Sequence, residues 1–143
     1  MLIEFNFSNY RSFRDSTVLS MEATGLGLLK NCLIHHGNKK ILPSVAIYGK
    51  NGGGKSNVIR AFWFASQFIK TAQRTQHDNV PIPVQPFALD DFSKNAPTSF
   101  DFTYVHKGVK YNYGFSATRQ AVTEEHLYHW PKGQQALVFT RKM

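Results

Sequence analysis

The stretch "IYGKNGGGKSN", residues 47–57, decides how the rest of the chain is read. Gly49, Gly54, Lys55 and Ser56 fall at the spacing G-x-x-x-x-G-K-[ST], which is a complete phosphate-loop pattern. Each residue type answers a physical need. The glycines Gly49, Gly52, Gly53 and Gly54 let the backbone fold so that successive N–H groups converge on an anion. A helix opening near Lys55 adds the positive end of its dipole. The Lys55 ammonium suits the β- and γ-phosphates, and the Ser56 hydroxyl suits Mg2+. The stretch therefore predicts a nucleotide site.

The flanking sequence supplies the setting such a loop needs. "VAIY", residues 45–48, is a continuous apolar run of the kind found in strands covered on both faces, as in a parallel sheet. After the loop, Val58, Ala61, Phe62, Ala65, Phe68, Ile69 and Ala72 recur at helical spacing, which predicts a helix from about Lys55 to about Gln73. Trp63 and Phe64 widen its apolar face and predict burial on more than one side.

Further out, Ile3, Phe5 and Phe7 alternate with polar residues, so residues 2–8 read as a half-buried strand. "TVLSME", residues 17–22, reads as its hairpin partner, and residues 23–38 read as loops. Pro81, Pro83, Pro86 and Pro97 mark residues 76–97 as a connector without helix or central strand. Residues 98–143 alternate with a period of two around "HKG" and "PKGQQ", which predicts an antiparallel meander of about four strands. The expected organisation is a single lobe: a phosphate-loop core over 1–75, the connector, and an antiparallel β-subdomain.

The bulk numbers agree with a globular chain. It has 143 residues, of which 42% are hydrophobic and 14% aromatic, enough to bury a core. A net charge of +8 favours anionic partners, DNA or RNA included. No Lys/Arg run marks a dedicated nucleic-acid patch. Cys32 is the only cysteine, which excludes an intrachain disulfide and a cysteine zinc cluster, and it reads as a small buried residue. No apolar run approaches a membrane span and the N-terminus lacks a secretion layout, so a cytoplasmic protein is expected. His126 and His129 fall on opposite faces of a strand, which defeats a shared metal site.

"YGKNGGGKSN" resembles the nucleotide-binding loop of ABC-type ATPases of the SMC and RecF kind, which share G-x-N-G/A-x-G-K-S/T followed by Asn. "IEFNFSNYRSFRD" resembles the opening strand of the same group, with its N-[FY]-R-[SN]-[FI] element. The chain as a whole is similar to bacterial AAA-labelled ATPases with this head, many of them acting in phage defence and abortive infection. The resemblance implies ATP and Mg2+ as ligands, Arg11 near the nucleotide, Asn57 at the α-phosphate and Asn51 stiffening the loop beside Lys50. A guanidinium is suited to such a place, since it bridges phosphate oxygens or stacks on adenine. It also implies a glutamine that senses Mg2+ and the attacking water; Gln85 fits its place in the connector, with Gln73 and Gln76 as alternatives.

The parts that hydrolyse ATP in that group are not seen. No apolar run ending in Asp-Glu supplies a Walker B strand, and "PFALDD" up to Asp91 reads as a loop. No signature helix and no histidine switch follow. The expectation is therefore an α/β N-terminal lobe of an ABC-type P-loop ATPase head: a mixed sheet, one long P-loop helix and an antiparallel β-meander. It would bind ATP alone and hydrolyse it only with a C-terminal lobe or partner chain, in a head-to-head dimer serving a nuclease or other effector. Two alternatives stand beside it. One is a different P-loop enzyme, although "NKKI" at 38–41 lacks the Asp of a guanine reader, and a β-meander does not suit a kinase. The other is a basic β module that stacks nucleic-acid bases on Phe100, Phe102, Tyr104, Tyr111 and Tyr113, residues that read more simply as sheet core.

Overall fold

The computed structural model describes residues 1–25, 30–75 and 80–143, with side chains left out of the description from 72 to 75. Its frame is one six-stranded sheet in the order β2-β1-β5-β6-β7-β8, every neighbouring pair antiparallel. The strands are β1 (Leu2–Ser8), β2 (Thr17–Ser20), β5 (Thr98–His106), β6 (Val109–Ala117), β7 (Val122–Trp130) and β8 (Ala136–Lys142). β1 pairs with β5 through Phe5 opposite Phe102 and Phe7 opposite Phe100, so the opening hairpin and the meander share one sheet.

Helix α1 (Lys55–Thr75) lies across one face of that sheet. Its small residues Ala61 and Ala65 are fully buried and let the backbone come close. Phe64 and Phe68 then reach down to Phe100 and Phe115, with ring centroids 5.4 and 4.9 Å apart. Phe5, Phe7 and Phe100 are the largest fully buried side chains. Each such burial stabilises by about 1.5–3 kcal/mol, which is why the aromatic content concentrates here. The other face of the sheet is polar: Asp101, Asn112 and His126 bond one another across three strands.

Five expectations are corrected. Residues 45–48 form no strand; Val45 and Tyr48 are exposed, Tyr48 by 90%. An apolar run becomes a central strand only when neighbours supply ladder partners and cover both faces, and no described strand lies beside this one. The sheet is accordingly antiparallel throughout and not mixed. Helix α1 is buried on one side only, with Ile59 and Trp63 59% and 63% exposed, because the sheet covers a single face. Residues 23–38 and the connector also hold more structure than their composition suggests. A small hairpin, β3 (Ile34–His36) with β4 (Lys39–Ile41), turns at Gly37, whose φ is 55°. A five-residue helix, α2 (Asp91–Asn95), forms between Pro86 and Pro97. Asp90 caps α2 by accepting from Ser93 N–H at 2.6 Å, and that bond leads the causes holding its carboxyl below the usual range. Cys32 is exposed, not buried.

Candidate functional site

The glycine loop runs from the exposed 45–48 segment into the first turn of α1. Gly52 and Gly54 have φ of 78° and 85°, a region that side chains disfavour. Gly53 N–H donates to Lys50 O at 3.1 Å, and a Cβ on Gly53 would sit 3.0 Å from that oxygen. The Lys55 ammonium folds back along the loop and donates to Gly49 O at 2.6 Å and Lys50 O at 2.7 Å. Those two bonds close the loop and leave one of its three N–H donors unused by them. Residues 51–57 and Arg60 line an open depression of about 320 Å3. Ser56 is exposed at its rim.

The opening turn, residues 9–14, lies against this loop. It closes through Tyr10 N–H to Phe13 O at 2.8 Å and Phe13 N–H to Tyr10 O at 2.9 Å. Ser12 Oγ accepts from Asn57 Nδ2 at 2.9 Å, across 45 residues of sequence. The Phe13 ring lies so close to Gly54 that a Cβ there would meet it at 3.0 Å. Asn57 Oδ1 in turn accepts from Arg60 Nη1 at 3.3 Å. Arg11 has a left-handed backbone, φ 52°, and its Nε is buried without a hydrogen-bond partner among the described residues.

The same turn holds the connector. Arg11 N–H donates to Gln85 O at 2.7 Å. The buried Asn9 side chain donates to Ser93 O, Ala96 O and Pro97 O and accepts from Phe87 N–H at 3.0 Å. Two residues foreseen on separate segments, Arg11 and Gln85, are thus brought together by backbone, while the Gln85 side chain is exposed. The Gln73 side chain and the whole of Gln76 lie outside the described residues.

Charge favours an anion here. Lys50, Lys55 and Arg60 belong to the loop and the start of α1, and no Asp or Glu occurs in the sequence from Ala23 to His77 to offset them locally. That gap is legible in the sequence, although no phosphate-loop pattern includes it. Ser12 and Phe13 fall within the N-[FY]-R-[SN]-[FI] element, but nothing local to them announces a contact with residues 54–57. Away from this site, His126 bonds Asp101 and Asn112 whereas His129 lies against Tyr111. No cluster of three or more metal-ligating side chains occurs among the described residues. None of the described helices is long and apolar enough to cross a membrane.

Residues 44–142 match the family described as "AAA domain, putative AbiEii toxin, Type IV TA system". The chain belongs to that AAA-domain family. The match takes in the glycine loop, α1, the connector and the meander. An AAA-type domain implies nucleotide binding, usually with Mg2+. The donors just described suit both: a backbone cradle that a Cβ on Gly53 would crowd, the Lys55 ammonium for phosphate, and the exposed Ser56 hydroxyl for the metal. No curated protein matches the chain.

Proposed function

We propose that this AAA domain is the ATP- and Mg2+-binding N-terminal half of an ABC-type ATPase of the SMC and RecF kind. It acts as an ATP-driven switch in phage defence or DNA maintenance. The observation that carries this reading is the loop of residues 49–57, closed by Lys55 and flanked by the turn that carries Arg11. Gly49, Lys50, Asn51, Gly52, Gly53 and Gly54 wrap the phosphates; Lys55 neutralises them; Ser56 ligates Mg2+; Asn57 and Arg11 complete the wall; Gln85 approaches the metal from the connector. Hydrolysis needs a Walker B carboxylate and a signature surface, supplied by a C-terminal lobe or a partner chain in a head-to-head dimer. The exposed apolar run 45–48 and the uncovered Ile59 and Trp63 on α1 are the surfaces suited to receive that lobe. Ligand would then act by favouring the closed pair, with a nuclease or other effector as output.

The test is titration of a fluorescent ATP analogue, with Mg2+, against the chain and against Lys55→Ala. Saturable binding that the substitution weakens at least tenfold supports the reading, and equal affinity rejects it. A second reading, contact with DNA or RNA, rests on one end of the meander. There Lys110 lies 4.1 Å over the Trp130 ring and Tyr104 stacks on Tyr111 with centroids 5.5 Å apart. No Asp or Glu occurs from 102 to 123. Binding of single-stranded DNA that falls steeply with salt and is weakened by Lys110→Ala supports it.

A further inference from the structure

We infer that Ser12 is a positioning residue of the nucleotide site: it orients the Asn57 side chain, and with Phe13 it holds the glycine loop in its cradle form. The inference rests on the nucleotide reading above and adds a wall that the phosphate-loop motif does not contain. Three observations carry it. Asn57 is a two-ended side chain in the first turn of α1, and both ends are engaged, Nδ2 to Ser12 Oγ at 2.9 Å and Oδ1 from Arg60 Nη1 at 3.3 Å. A short relay therefore runs from the opening turn, through Asn57, to a guanidinium that lines the depression. Removal of Ser12 leaves the amide free to rotate and Arg60 without a fixed acceptor.

The second observation is the packing at Gly54. That glycine has φ 85°, and the Phe13 ring occupies the space beside it to within 3.0 Å of where a Cβ would stand. The ring edge limits how the last loop peptide can move before the helix begins. The third is chemical. Ser12 uses an oxygen lone pair to accept from Asn57, and its own O–H remains available to donate. Its acceptor role fixes the orientation of the amide, with Nδ2 toward the turn and Oδ1 toward Arg60.

The same turn is anchored behind by Asn9 and by the bond from Arg11 N–H to Gln85 O. The loop is thereby fixed to the sheet and to the connector, not only to its own helix. An ATP molecule that draws residues 54–57 inward acts on the turn and, through it, on Gln85.

A double-mutant cycle tests this on the full chain, with MgATP as the probe. Ser12→Ala is expected to weaken MgATP binding about 3- to 10-fold, the effect of one lost hydrogen bond, and Asn57→Ala at least as much, since it also loses the contact with Arg60. The double variant is expected to be no weaker than the weaker single, because both remove the same bond. Ser12→Thr restores binding to within about twofold. Amide exchange at residues 53–58 rises in nucleotide-free Ser12→Ala while its melting temperature stays at the wild-type value. Wild-type affinity in Ser12→Ala, with Lys55→Ala still impaired, overturns the inference and leaves the nucleotide reading standing. So does additive loss in the double variant. Equal affinity of wild type and Lys55→Ala overturns the nucleotide reading and the inference with it.

Discussion

The sheet and the glycine loop are built on opposite principles. The sheet side of the molecule is closed: Phe5, Phe7, Phe100 and Phe115 are at most 2% exposed and α1 is pressed onto them. The loop side is open: Tyr48 is 90% exposed, and the loop is held by a lysine over two carbonyls and by a turn 45 residues away in sequence. Burial fixes the first, and a handful of hydrogen bonds fixes the second. A scaffold made rigid by packing can carry a site that ligand reshapes, and the two are separable by mutation.

The largest effect is expected where burial is complete. Phe100→Ala removes a ring that touches Phe64, Phe115 and Tyr10 and costs about 3–5 kcal/mol in urea unfolding. Tyr48→Ala is expected to cost less than about 0.5 kcal/mol. Similar losses for the two would show that both regions are held in the same way. Next comes the anchor between the regions. Asn9→Ala strands the Phe87 N–H and removes donors from three carbonyls. It also leaves alanine at φ 52°, and is expected to cost about 2–3 kcal/mol, read by the same unfolding curve. Lys55→Ala is smaller in stability and confined to the loop. It is expected to lower MgATP affinity about 10- to 100-fold, the loss of a charge-assisted contact, with an unchanged unfolding midpoint.

The smallest effect concerns pH. Burial, and then the hydrogen bond from Tyr113 to Glu125 at 2.6 Å, push the Tyr113 phenol well above its ordinary value. The folded state keeps a proton that the unfolded chain releases above about pH 10. Stability from this group is full below that pH and is lost as pH rises through it. Tyr113→Phe is expected to flatten the decline in stability between about pH 10 and 11; an unchanged slope contradicts the assignment.

What the sequence makes legible follows from how local each determinant is. The alternation in 100–104 reflects a period of two that buries Phe100 and Phe102, and that in 109–115 sets Tyr113 and Phe115 against the same core. The spacing from Val58 to Phe68 likewise names the face that α1 buries. The glycine loop is legible because a phosphate cradle has its own grammar. The run 45–48 misleads because strand formation depends on neighbours, and its composition says only that it is apolar. Arg11 and Gln85 are nameable by resemblance alone. Their meeting, and the bond from Asn57 to Ser12, join segments 45 or more residues apart, and no periodicity encodes such contacts. The α2 cap at Asp90 lay hidden inside a proline-rich stretch whose composition argued for coil.

Residues 49–57 and the turn beside them are expected to receive the nucleotide, with the meander as scaffold. Hydrogen exchange with and without MgATP tests it most directly. Slowed exchange is expected at the amides of residues 50–57 and 10–13, with residues 98–142 unchanged. Protection confined to the meander, or none at the glycine loop under saturating MgATP, would contradict it.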